Sequence, residues 1–100
     1  MKEYEVRIRI GAWIDIDVVY DFLVELDEGV AQRQLEVILK RIEELKNFPN
    51  TGTPIIISED NVLRQVNVGG YRIFYVVDED EDFVEVHGVE HMKQDSKFRA

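Results

Sequence analysis

Residues 3–10 alternate, with Tyr4, Val6, Ile8 and Ile10 on one side and Glu3, Glu5, Arg7 and Arg9 on the other. A period of two predicts a half-exposed strand, which Gly11 ends. Ala12, Ile16, Val19, Leu23 and Leu26 then recur at spacings of four and three, the stripe of an amphipathic helix. Trp13, Tyr20 and Phe22 widen the face expected to be buried. Asp15, Asp17, Asp21 and Glu25 stay in water, and the acids near the start suit the helix dipole. Asp27-Glu28-Gly29 breaks this helix. Ala31, Leu35, Ile38, Ile42 and Leu45 mark a second one, which ends before Asn47-Phe48-Pro49. Two such helices with a short link predict an antiparallel hairpin packed on a sheet, each being too short for a coiled coil.

The remainder has the period of strands. Pro49-Asn50-Thr51-Gly52-Thr53-Pro54 is a turn-rich connector, and Ile55-Ile56-Ile57 reads as a short extended piece. Residues 62–68, 71–77 and 83–89 are expected strands. Gly69-Gly70 makes the first hairpin between them, and the acidic run 78–82 makes a solvated second one. The expectation is an α+β fold: a strand, a helical hairpin, then a three-stranded meander, with the helices on one face of a four-stranded sheet. Residues 1–100 are expected to form one domain, with a tail from about residue 92 that is mobile in part.

Composition narrows the function. At 45% hydrophobic residues the chain is globular, and it has no cysteine for a disulfide, a thiolate metal site or a thiol nucleophile. His87 and His91 lie four apart in a strand context, so no metal and no other cofactor is expected. No stretch is long and apolar enough for a bilayer, and no signal peptide is visible, so a cytoplasmic protein without a membrane partner is expected. The net charge of −9, from 21 acids against 12 bases, disfavours non-specific nucleic-acid binding and suits a basic protein partner.

The residue most in need of a partner is Arg72, a cation inside the apolar run Tyr71-Arg72-Ile73-Phe74-Tyr75. Arginine is not neutralised by burial. It must reach a carboxylate, with Glu85 across the hairpin the candidate, or surface at an edge, or receive an anionic ligand. His91 is either a solvated strand-end residue or an acid–base group near neutral pH.

The order of these elements resembles the RelE/ParE toxin superfamily over roughly residues 4–91. The resemblance is carried by Ala12-x-x-Asp15-Ile16-x-x-Val19-x-x-Phe22-Leu23 and Pro49-x-x-Gly52. Leu63-Arg64-Gln65-Val66 ahead of Tyr71-Arg72-Ile73-Phe74-Tyr75 adds to it, as does Val86-x-x-Val89-x-His91. The resemblance implies a toxin of a type II toxin–antitoxin module, held inactive by a cognate antitoxin laid on an exposed helix or sheet edge. RelE-like members cut messenger RNA on the ribosome, and ParE-like members inhibit DNA gyrase.

For the nuclease, the resemblance implies Arg72 as phosphate clamp and His91 as general acid, with Arg64, Lys93 and Lys97 binding substrate and Arg99 adding positive charge. Leu63 and Gln65 stand where the nucleases carry lysines, and Phe98 stands in place of a tyrosine. The resulting expectation is a toxin that binds a protein target such as gyrase. The alternatives are a metal-independent, ribosome-dependent endoribonuclease, or a degenerate, non-toxic binding module.

Overall fold

In the computed structural model, which describes residues 2–99, the alternating N-terminal segment forms β1 (Glu5–Ile8). The strand is shorter than its alternation because the chain turns at Arg9, whose carbonyl accepts from Ala12 N and Trp13 N, both at 3.0 Å. Gly11 therefore lies in the first turn of α1 (Ile10–Val24) and does not end a strand. In the Asp27-Glu28-Gly29 break, Asp27 is the cap of α2 (Glu28–Glu44): its side chain accepts from Val30 N at 3.0 Å. Glu28 in the first turn and Arg41 in the last complement the α2 dipole.

Four further strands follow: β2 (Thr53–Ile57), β3 (Val62–Val68), β4 (Tyr71–Asp78) and β5 (Phe83–His91). The α+β class is as expected, but the sheet has five strands, in the order β1-β5-β4-β3-β2. The additional strand is β2, which pairs antiparallel with β3 and shifts register between Pro54 and Ile56. Proline lacks an N–H, so such a strand is stable only at an edge, where a bulge also blunts pairing with other chains. β1 joins the opposite side parallel to β5, and the other pairings are antiparallel.

Ile16 of α1, with Ile38 and Ile42 of α2, packs onto Val66, Ile73, Tyr75, Val84 and Val86 of the sheet. Tyr75 also explains the Pro49-x-x-Gly52 pattern. Its buried hydroxyl donates to Pro49 O at 2.7 Å and accepts from Gly52 N at 2.8 Å. A Cβ on Gly52 would stand 2.5 Å from that oxygen, so only glycine fits. In β5 the pairing shifts between Val86 and Gly88, leaving His87 as the extra residue of a bulge. Val89 N, facing the edge beyond the end of β1, is satisfied by Asp15 Oδ2 of α1 at 3.0 Å.

Candidate functional site

The β4–β5 ladder closes at Asp78 and Phe83, which leaves Glu85 near the turn, opposite Val76, and sets Arg72 opposite Glu90. The expected Arg72–Glu85 pair is thus replaced by Arg72–Glu90 on the sheet face away from the helices. Arg72 Nη2 donates to Glu90 Oε1 at 3.4 Å, to His91 O at 3.2 Å and to Gln94 O at 2.8 Å. Its Nη1 donates to Met92 O at 3.0 Å, and its buried Nε meets no acceptor among the described residues. The Arg72 side chain is only 12% exposed and that of Glu90 0%. Such a pair is costly to desolvate, and breaking it strands a buried charge.

The chain beyond β5 folds back over this pair. Lys97 N donates to Glu90 Oε2 at 2.8 Å, and Arg99 Nη1 donates to Gln65 Oε1 at 2.7 Å. Phe98 stacks on Phe74, with ring centroids 4.6 Å apart. Gly88 lies beneath it, and a Cβ there would collide with the Phe98 ring. Lacking a hydroxyl, Phe98 is a roof over the sheet.

The other candidates are dispersed. His91 pairs with Tyr71 in register, so its ring lies on the helix side, edge-on to Tyr71 at 5.3 Å, and its Nδ1 accepts from Lys93 N at 3.0 Å. The Arg72 head and the His91 ring are therefore on opposite faces of the sheet. Arg64 also points to the helix side, where Nη1 donates to Gly52 O at 2.8 Å. Lys97 reaches Asp15 Oδ1 at 3.3 Å, and Lys93 is exposed.

A surface that periodicity did not assign lies on α1 and the turn that follows it. Ile10, Ile14, Val18, Phe22 and Leu26 are 79%, 57%, 62%, 66% and 70% exposed. Phe22, Leu26 and the 44% exposed Trp13 were expected in the core and are instead outside. The helix is apolar nearly all round, and only the stripe of Ala12 and Ile16 is sealed. The constant spacing of four from Ile10 to Leu26 is the sequence signal for this second stripe. Asp17, Asp21 and Glu25 run beside it, all exposed. Towards β4 and β5 the stripe continues into a groove of about 470 Å³ lined by Val18, Phe22, Leu23, Tyr71 and His91. Burial within this wall raises the Tyr71 hydroxyl above its ordinary value. Exposed apolar patches of this extent mark interaction sites.

Residues 6–96 match the family model described as the ParE toxin of the type II toxin–antitoxin system parDE. The chain belongs to the ParE toxin family. This ParE-family chain is similar in fold to a chain of the chromosomal ParDE toxin–antitoxin system from P. aeruginosa, with TM-score 0.75, 15% identity, and 91% and 98% of the two chains covered. It is also similar to a chain of the RelBE2 toxin–antitoxin complex from Mycobacterium tuberculosis, with TM-score 0.65, 21% identity, and coverage of 91% and 93%. An archaeal RelE–RelB complex from Pyrococcus horikoshii gives TM-score 0.54 at 20% identity, over 93% and 99% of the chains. No curated protein matches the sequence significantly. Among the described residues, no helix is long and apolar enough to cross a membrane.

Proposed function

We propose that this ParE-family chain is a cytoplasmic toxin that arrests growth by binding a protein target, with DNA gyrase the candidate, and that a cognate antitoxin neutralises it. The observation that carries this reading is the exposed apolar stripe from Ile10 to Leu26, a surface built for contact with protein. Its acidic flank, Asp17, Asp21 and Glu25, favours a basic amphipathic antitoxin segment that folds as it docks.

The arrangement of the polar candidates supports binding over catalysis. An RNA-cleaving site needs a phosphate clamp and an acid–base group within reach of one phosphate. Here the Arg72 head is committed to Glu90 and three carbonyls, and the His91 ring stands across the sheet from it. The ribosome-dependent nuclease requires the tail to lift from Arg72 before RNA enters. Induced expression with and without the adjacent gene tests the toxin reading. Arrest relieved by the neighbour, with transcripts uncut in primer extension, is the expected outcome. Normal growth without the neighbour would leave a non-toxic binding module, and cuts in translated messenger RNA that appear only on induction would establish the nuclease.

A further inference from the structure

β4 is apolar on both faces, with Ile73, Tyr75 and Val77 towards the helices and Phe74 and Val76 away from them. A strand of this kind belongs between two covers. On the outer face the cover is half complete. Phe98 roofs Phe74, whereas Val76, its cross-strand neighbour Leu63, and the nearby Ile56 and Phe83 keep part of their surface in water. They floor an open depression of about 420 Å³.

Its rim chooses among occupants. Asp78 pairs with Phe83 and Glu85 with Val76, so the two carboxylates stand diagonally across the ladder. Such positions are roughly 7–8 Å apart, a gap that one side chain bridges. The cations on this face are already engaged. Arg7 donates to Glu5 Oε1 at 3.1 Å, and Arg9 lies 3.4 Å from His87 Nδ1. The Arg7 guanidinium also lies 3.8 Å from the centroid of the Phe83 ring, so the face already seats one group of this kind. Asp78 already accepts from Asp80 N and Glu81 N, and Glu85 lies 2.8 Å from His87 Nε2, but a wholly apolar partner would take both charges out of water without bringing a cation to either. A second copy would add another charge of −9.

We infer that this shelf takes an arginine side chain presented by a protein partner, its stem on Leu63 and Val76 and its guanidinium between Asp78 and Glu85. Arginine fits better than lysine because its planar head carries five donors and stacks on aromatic faces. The inference rests on the reading that the chain acts on a protein target. It adds the chemistry of the recognised residue and a surface on the opposite side of the sheet from α1.

The test is a methyl and aromatic NMR titration of the full chain with N-acetyl-arginine N-methylamide, using the norleucine analogue as control. The expected result is saturable shifts confined to Ile56, Leu63, Val76 and Phe83, with half-saturation at about 5 mM, a reasonable strength for one side chain. Asp78→Asn with Glu85→Gln should weaken binding about ten-fold. The pair keeps the structural bonds, because Asn retains the oxygen that accepts from Asp80 N and Glu81 N, and Gln retains the one facing His87. Equal shifts with the norleucine analogue, shifts centred on α1, or no saturation by about 50 mM would overturn the inference. A confined titration from a chain that fails to arrest growth would sustain the shelf and sink the protein-target reading. Growth arrest with uncut transcripts and no titration would do the reverse.

Discussion

Replacing Arg72 by alanine separates a structural clasp from a phosphate clamp. The substitution removes donors to Glu90 Oε1 and to the carbonyls of His91, Met92 and Gln94. The Glu90 carboxylate, 0% exposed, is left with the Lys97 N–H as its remaining bond. Breaking a buried pair in this way costs about 3–5 kcal/mol. The tail can lift and admit water, so the lower end, about 3 kcal/mol, is expected. A domain of this size has a total stability of about 5–15 kcal/mol, so the variant folds but is weakened. With a urea slope near 1.5 kcal/mol per M, the unfolding midpoint falls by about 2 M. Arg72→Lys keeps the charge and loses the fork, and should lie between the two. Arg72→Met with Glu90→Leu should recover most of the loss, because an apolar pair needs no desolvated charge. The reasoning is refuted if Arg72→Ala lies within about 0.5 kcal/mol of wild type, as expected for an exposed ligand-binding residue.

Tyr75→Phe leaves Gly52 N and Pro49 O without their buried partner and should cost about 1–3 kcal/mol by urea denaturation, whereas Tyr20→Phe should cost little. Phe22→Ser on α1 should leave the urea midpoint nearly unchanged, since the ring is 66% exposed, while weakening co-purification with the neighbouring gene product by ten-fold or more, about 1.4 kcal/mol. Burial raises the folded-state value of Tyr71, so its stabilising contribution is complete below the unfolded value of 10.0 and is lost as pH rises through the folded value. Urea midpoints between pH 8 and about 11 should therefore fall less steeply in Tyr71→Phe than in wild type, and equal slopes would contradict the assignment.

Much of the fold was legible because local period and tertiary role coincide. The N-terminal alternation, the stripe of α2 and the glycine pair before β4 each have one good solution. β2 was harder to read, since Ile55-Ile56-Ile57 does not alternate and Pro54 argues against a central strand; the free edge beside β3 accepts it. On α1 two apolar stripes have helical spacing, and periodicity cannot tell a core stripe from a docking stripe. Contact with α2 and β5 on one side alone decided it. The partner of Arg72 depended on where the hairpin closes and on the bulge at His87, neither of which has a local signal. The glycine of Pro49-x-x-Gly52 was visible as a motif, but its cause, the Tyr75 hydroxyl, lies 23 residues away.

The mechanism meets its most direct test in a gyrase supercoiling assay titrated with purified protein, run beside primer extension on translated messenger RNA. Action through a protein target predicts loss of supercoiling as the protein approaches stoichiometry with gyrase, with the messenger uncut. Full supercoiling at large excess, together with cuts in the messenger, would contradict it.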